Sequence, residues 1–186
     1  DVKAAAGTSK GSHEAPAGGI KRDCATPLVV GDSIYITNDY HGTLALRISR
    51  DAGGAWRAGM VFRSGALGGA MTSPIHREGF LYGLHQKGFL VCIDAATGKR
   101  RWIERAFGKY LSLIAIDERA VALDDRGELA ILRLSPDGPA FEGRWKIGES
   151  TWTHPALDAE RLYFRDGAAL VALRFRPSTK ASDLSR

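Results

Sequence analysis

A repeated pattern constrains the fold of this chain more than any other feature of its sequence. Each of four successive units has a short apolar segment, a polar turn, a second apolar segment rich in β-branched and aromatic residues, and then a glycine. These glycines are Gly42, Gly88, Gly127 and Gly167, which are 46, 39 and 40 residues apart. Repeats of this length with several short strands each are typical of β-propeller blades.

The apolar segments are too short for helices, and glycine or charged turns interrupt them. We predict first strands near 26–30, 73–75, 112–116 and 154–157, second strands at 34–36, 80–82, 120–123 and 162–164, and third strands at 43–48, 89–93, 128–134 and 168–173. We expect positive φ at the glycines, which would occupy the same place in all four units. The predicted fold is all-β: a β-propeller of four-stranded antiparallel blades, with about three and a half to four blades present.

The repeats also predict how the chain is divided. A propeller segment at 24–176 would hold blades at about 25–62, 71–105, 110–148 and 152–175, and the last blade has no outer strand after Arg174. Residues 1–23 are rich in Ala, Gly, Ser and Lys without a periodic pattern, so we predict a flexible arm or linker. Residues 177–186 are predicted to be a flexible tail.

The most informative motif ends the third strand of the second unit, Cys-Ile-Asp-Ala-Ala-Thr-Gly-Lys-Arg-Arg-Trp at 92–102. Asp94 is placed to accept hydrogen bonds from the turn, Gly98 tolerates positive φ, and Trp102 can pack against the neighbouring blade. Trp56 and Trp145 fall at similar places in units one and three.

This motif resembles the signature of pyrroloquinoline-quinone-like (PQQ-like) propeller repeats, and the resemblance covers about residues 25–175. More narrowly, the chain is similar to the C-terminal half of secreted bacterial members. Because such propellers have about seven or eight blades, the resemblance implies a partial ring. Its open edges would be covered by another segment of a longer protein, a second chain or a second copy of this one. A periplasmic or extracellular location in a bacterium is also implied.

The resemblance leaves more than one function open. We favour a non-catalytic scaffold that binds a protein or another ligand, as in the family members without activity. The alternative is a fragment of a PQQ-dependent quinoprotein dehydrogenase, in which calcium, a catalytic aspartate and often a vicinal cysteine pair accompany the quinone; the sequence contains no Cys-Cys. We therefore predict no catalytic residue, no metal site and no cofactor, and assign no cofactor-binding residue. A third possibility is an extracellular sensor or carbohydrate-contacting module, with contacts from Tyr40, Tyr110 and Trp152.

Other chemically suggestive residues are interpreted as structural. His76 and His85 could face each other across a hairpin, but no third ligand accompanies them. His154 stands before Pro155 where Thr26 and Ser73 stand in other units, which favours a structural hydrogen bond.

Three further groups lie in predicted turns or loops. Asp39 and the pair Asp124-Asp125 are followed by glycine and are expected to stabilise turns rather than bind calcium. His41 lies in a turn as well. The segment 65–70 is glycine-rich but lacks the Lys-Ser/Thr of a phosphate loop, so it is predicted to join two blades.

Charge and cysteine content exclude several classes of protein. The net charge is +5, but basic and acidic residues are interspersed, which predicts no nucleic-acid binding. Cys24 and Cys92 are too few for a disulfide framework or a zinc site, although a single bridge between them stays open. No apolar run reaches the length of a membrane span.

Overall fold

The computed structural model describes residues 25–175 apart from 70, 106 and 159. The described residues form fifteen strands and no helix, arranged as three four-stranded antiparallel sheets and one three-stranded sheet. The predicted fold class, an all-β partial propeller, is confirmed. The expected arm, the expected tail and Cys24 lie outside the described residues. No helix with the length and apolar character of a membrane span occurs in the described part of the chain.

Each sheet is one blade, and its strands follow the order of the chain. Blade 1 contains β1 (Leu28–Val30), β2 (Ser33–Asn38), β3 (Gly42–Arg50) and β4 (Trp56–Ser64). Blade 2 contains β5 (Ile75–Arg77), β6 (Phe80–His85), β7 (Phe89–Asp94) and β8 (Arg100–Arg105). Blade 3 contains β9 (Leu111–Ile116), β10 (Arg119–Asp124), β11 (Glu128–Ser135) and β12 (Gly138–Lys146). Blade 4 contains β13 (Ala156–Leu157), β14 (Arg161–Asp166) and β15 (Ala169–Arg174).

The three four-stranded blades share an irregularity in their fourth strands. The pairing of the third strand with the fourth shifts after Ala45, Cys92 and Ile131, and these residues occupy equivalent positions. The shift leaves one extra residue in the fourth strand, which is a β-bulge that increases the local twist. The same bulge in three blades shows that they are copies of one structural unit.

The glycine turns match the sequence prediction in conformation but not in position. Gly42, Gly88, Gly127 and Gly167 have φ of 76°, 79°, 72° and 54°, as expected. However, Gly42 is the first residue of β3 and pairs with Asn38, whereas Gly88 and Gly127 precede their third strands. Gly167 belongs to a shorter turn, in which Asp166 pairs with Ala169. The four positions are therefore not equivalent, and sequence spacing alone concealed the shift.

Trp102 has the predicted role, but its proposed counterparts do not. The Trp102 Nε1 atom donates a hydrogen bond of 2.8 Å to the carbonyl of Ser135, in blade 3. Trp102 pairs with Cys92, and the same register position holds Phe62 in blade 1 and Gly143 in blade 3.

Trp56 and Trp145 instead pair with Arg50 and Leu129 near opposite ends of their strands, and both are about half exposed. Their equivalence to Trp102 was therefore wrong, because the third and fourth strands are longer in blades 1 and 3 than in blade 2, and equal distances along the sequence reach different register positions.

The hydrophobic core lies between neighbouring blades. Blade 2 is covered on both faces. Its fully buried side chains that pack against blade 1 are Leu81, Val91 and Ile93, and those that pack against blade 3 are Tyr82, Leu90 and Cys92. Hydrogen bonds also cross between blades, as from the Tyr35 hydroxyl to the Ala95 carbonyl at 2.9 Å. The side chains between two blades are thus inaccessible. A binding surface must therefore lie at the ends of the blades or on a face that no neighbouring blade covers.

Within the described residues, blade 1 is covered on one face only. Tyr35 and Ala45 point towards blade 2 and are buried. The opposite face, which we call the uncovered face, carries the apolar residues that alternate with them: Val29, Ile34, Ile36, Leu44, Leu46 and Met60. Val29 is 64% exposed and Met60 is 69% exposed. An aliphatic sheet face of this kind is unusual at a protein surface.

Candidate functional site

Strand pairing places two kinds of loop at the same end of every complete blade. In blade 3, Leu111 at the start of β9 pairs with Asp124 at the end of β10. In blade 2, Phe89 at the start of β7 pairs with Arg105 at the end of β8. The turn between the second and third strands therefore lies beside the segment that leads to the next blade. We call this end of the molecule the connecting face.

A cleft of about 520 Å³ opens where segments from all four blades meet. β5 contacts both β1 and β9, so the first strands lie innermost in the partial ring. The cleft is formed largely by residues in front of, or at the start of, these innermost strands, and we call it the axial cleft. Its lining residues are Thr26, Met71, Ser73, Pro74, Tyr110, Leu113, Trp152 and His154.

Two aromatic residues dominate the chemistry of the axial cleft. Tyr110 and Trp152 stack with ring centroids 5.6 Å apart and an interplanar angle of 23°. Tyr110 is 4% exposed, and its hydroxyl shares a 2.6 Å hydrogen bond with Ser112 Oγ, whereas Trp152 is 47% exposed. Tyr110 therefore supports the ring of Trp152, which is the accessible contact. Tyr40, the third predicted aromatic contact, lies in the β2–β3 turn against His41 instead of in this cleft.

The position before the first strand contributes to the axial cleft in three blades, as Thr26, Ser73 and His154. The Thr26 backbone N–H donates to Ser73 Oγ at 2.8 Å, which joins blades 1 and 2. The imidazole of His154 makes no hydrogen bond to the described residues, so its expected structural bond is not observed there. Partial burial lowers the pKa of His154 below its ordinary value of 6.5, so the ring is neutral at pH 7.

Asp124 and Asp125 stabilise a turn, as the sequence suggested, whereas in the β2–β3 turn the backbone N–H groups of Tyr40 and His41 donate to Asn38 Oδ1 and not to Asp39. Asp124 is completely buried, and its carboxylate accepts backbone hydrogen bonds from Gly108, Arg126 and Glu128 at 2.9 to 3.0 Å. Asp125 Oδ1 accepts one from the Tyr110 backbone N–H at 3.2 Å. These bonds fix the β10–β11 turn to the segment arriving from blade 2, and so hold Tyr110 at the edge of the axial cleft.

The histidine pair suggested by the sequence does not form. His76 pairs with Leu81, and His85 pairs with Phe89, so the two histidines occupy different levels of blade 2. The described residues contain no group of three or more His, Cys, Asp or Glu side chains arranged to hold a metal ion. The donors of the axial cleft, one imidazole and neutral hydroxyls, do not suit the calcium ion that accompanies the quinone in quinoprotein dehydrogenases.

The glycine-rich segment joins blades 1 and 2. The backbone N–H of Gly68 donates to the Leu84 carbonyl at 3.1 Å, and Thr43 Oγ1 donates to the Leu67 carbonyl at 2.8 Å. A Cβ at Gly69 would lie 2.7 Å from Cβ of Leu84, which explains why a residue without a side chain is needed there. The backbone groups of this loop are used in packing, which agrees with the predicted connection.

Cys92 is buried between blades, and burial raises the pKa of its thiol to about 11. The thiol is therefore protonated and unreactive at neutral pH.

Two features of the connecting face were not found from the sequence. One is the convergence of four segments on a single cleft, because it depends on how the blades pack. The other is Met71 at the cleft wall, whose φ of 57° is uncommon for a residue with a side chain.

No protein-family model and no curated protein sequence matches the chain. Among solved structures, the chain is similar to the crystal structure of BamB from Moraxella catarrhalis, with 20% sequence identity and a TM-score of 0.62. The match covers 83% of this chain and 44% of the BamB chain, so this chain spans less than half of that protein. A europium-containing methanol dehydrogenase matches at 13% identity and a TM-score of 0.48, over 68% of this chain and 25% of that one. The similarity to BamB supports the propeller fold.

Proposed function

We propose that this chain is a non-catalytic binding module that uses the axial cleft to bind an extended segment of a protein partner. The observation that carries the proposal is the meeting of four blades around the exposed ring of Trp152. Tryptophan on a rigid support is among the side chains that contribute most to protein interfaces. Thr26, Ser73 and the neutral imidazole of His154 add polar groups that can bind a peptide backbone.

We further propose that the chain is part of a larger ring. The uncovered face of blade 1 supports this, because Val29 and Met60 are largely exposed and Leu44 and Leu46 are only half-buried, whereas Val91 and Ile93 at the positions of Leu44 and Leu46 in blade 2 are fully buried. The coverage of 44% of the BamB chain is consistent with further blades. Another segment of a longer chain, another protein or a second copy would cover the face. A periplasmic or extracellular location in a bacterium follows from the resemblance to PQQ-like repeats and is part of this proposal.

The binding proposal can be tested with peptides selected from a random displayed library on the immobilised 186-residue chain. Selected peptides should bind saturably, and Trp152→Ala should weaken them by about tenfold or more, the size of effect expected when an aromatic anchor is removed. Trp56→Ala is the matched control, because Trp56 is similarly exposed but lies on the outer strand of blade 1. Equal affinity for wild type and Trp152→Ala would contradict the proposal.

A spectral titration with pyrroloquinoline quinone and calcium separates this function from the dehydrogenase alternative. We expect no saturable change in the quinone spectrum. Saturable binding that is lost in Trp152→Ala would replace the scaffold proposal with a cofactor site in the axial cleft.

A further inference from the structure

A second cleft, of about 550 Å³, lies between blades 2 and 3 on the connecting face, and we call it the basic cleft. Five of its eight lining residues are cationic, and Lys109 is directly followed by Tyr110 of the axial cleft. The two clefts are therefore neighbours on one surface. The residues that line the basic cleft are Lys87, Arg105, Phe107, Gly108, Lys109, Arg126, Glu128 and Arg144.

Two of the cations are held by carboxylates, and three are available. Arg126 forms an ion pair of 2.8 Å with Asp124, and Arg144 pairs with Glu128 while its guanidinium lies 5.3 Å from the centre of the Phe107 ring. The other cations, Lys87, Arg105 and Lys109, have no ion pair with any residue in the described ranges. The basic cleft thus combines an ordered base with a rim of unpaired positive charge, which favours anionic ligands.

The backbone of the basic cleft does not offer a site for a compact anion such as phosphate. Such sites usually bring several backbone N–H groups to one point. Here the N–H groups of Gly108, Arg126 and Glu128 already donate to Asp124. The cationic groups that have no ion pair among the described residues are on long side chains that extend from three different segments: Lys87 from the β6–β7 turn, Arg105 from the end of β8, and Lys109 from the segment after it. This arrangement suits several carboxylates distributed along a flexible chain.

We propose that the basic cleft binds an acidic segment, rich in Asp or Glu, of a protein partner. The inference rests on the proposed function only in requiring that the partner is a protein; it adds a binding site and the chemistry of its ligand. Carboxylates would pair with Lys87, Arg105 and Lys109, and the adjacent axial cleft would receive a neighbouring apolar or aromatic part of the same partner.

The test uses a fluorescein-labelled peptide of alternating Glu and Gly, its Gln-Gly counterpart, and fluorescence anisotropy with the whole 186-residue chain. We expect saturable binding of the Glu peptide that weakens with added salt, and much weaker binding of the Gln peptide. The double variant Lys87→Gln/Lys109→Gln should raise the Kd of the Glu peptide about tenfold, as expected for two exposed charge contacts. The matched control Lys99→Gln/Arg100→Gln removes the same charge from the end of the β7–β8 turn and the start of β8, and should have little effect.

Three results would overturn the proposal. These are equal weakening by the two double variants, displacement of the peptide by inorganic phosphate at the same concentration of charge, and tighter binding of a single-stranded oligonucleotide than of the Glu peptide. Trp152→Ala should leave the Kd of the Glu peptide unchanged. Failure of the library peptides at the axial cleft, together with intact Glu-peptide binding, would therefore count against the proposed axial site and not against the basic cleft.

Discussion

Blades 1 and 2 have the same four-strand order and the same bulge, but they differ in what covers them. Val91 and Ile93 of blade 2 are fully buried against blade 1, whereas their register equivalents in blade 1, Leu44 and Leu46, lie on the uncovered face. In blades 1 and 2 both faces of the sheet are apolar, and only the edges and ends of the sheet are polar. Such a blade is therefore expected to pack against a neighbour on each face. At the end of a partial ring, one apolar face has no neighbouring blade.

Blade 4 shows a different kind of end. In blades 1 to 3, a Cβ added to the turn glycine would clash with the backbone that follows the fourth strand. At Gly127, for example, such a Cβ would lie 2.3 Å from the carbonyl oxygen of Gly148. At Gly167 no atom of the described residues lies within 4 Å of such a Cβ. The uncovered side of blade 4 also carries Arg161, Arg165 and Arg174, so it is far less apolar than that of blade 1. The described faces of blades 1 and 4 are thus chemically unlike, and the face of blade 1 is the one that we propose a partner covers.

The largest expected difference between blades 1 and 2 is in how much free energy of unfolding is lost when a large apolar side chain is replaced by alanine. Ile93→Ala should lower the free energy of unfolding by about 3 kcal/mol, because it leaves a cavity between two blades. The equivalent Leu46→Ala should cost less than about 1 kcal/mol when it is measured at a protein concentration low enough to keep the chain monomeric, because the uncovered face is then exposed to solvent. Urea denaturation followed by tryptophan fluorescence measures both. Equal losses would show that the face of blade 1 is already covered in solution.

The interblade tryptophan gives a smaller contrast. Trp102→Phe removes the donor to the Ser135 carbonyl and should cost about 1 kcal/mol in the same denaturation assay. Trp56→Phe is the matched change on the outer strand of blade 1 and should be close to neutral, since that ring is 51% exposed. A larger loss for Trp56 than for Trp102 would reverse the assignment of which tryptophan joins blades.

The smallest expected effect is the loss, at low pH, of the stability that the carboxylate of Asp94 contributes. Thr97 Oγ1 and the backbone N–H groups of Thr97 and Ala96 donate to Asp94, which lowers the pKa of Asp94 below its ordinary value of 3.8. Since the unfolded chain keeps the ordinary pKa, the stability contributed by Asp94 is present above about pH 4 and is lost as the pH falls towards the lowered value. The difference in urea midpoint between wild type and Asp94→Asn should therefore shrink between pH 7 and about pH 3.

Asp137→Asn is the control for the acid experiment. Asp137 also lies in a turn between third and fourth strands, and its carboxylate accepts no hydrogen bond from the described residues. Subtracting the Asp137→Asn difference at each pH removes effects that do not come from the hydrogen bonds of Asp94. A constant difference for Asp94→Asn after this subtraction would show that its hydrogen bonds do not contribute to folding.

The sequence predicted the blade repeat because that repeat is local. Short apolar runs, polar turns and glycines with positive φ reflect strand and hairpin preferences that act within about ten residues. Register was harder to predict, because the third and fourth strands are longer in blades 1 and 3 than in blade 2 while the spacing of the repeats changes little, which is why Trp56 and Trp145 were misplaced.

The candidate sites depend on packing between blades, and this limited their prediction. Tyr110 and Trp152 were identified as possible contacts, but their stacking requires segments 42 residues apart in the chain to meet. The basic cleft had a sequence signal that was not used: Lys87 and Arg126 both precede the turn glycines of adjacent blades, so the repeat itself places them at the same end of the molecule.

The solution mass of the 186-residue chain, measured by light scattering after size exclusion, tests the central claim most directly. The uncovered face of blade 1 should drive association, because burying it removes aliphatic surface from water. We predict a species of about twice the 20.1 kDa chain mass, and a shift towards monomer when Leu46→Glu places a charge on that face. A stable, folded monomer at all concentrations would contradict the claim that this face requires a partner.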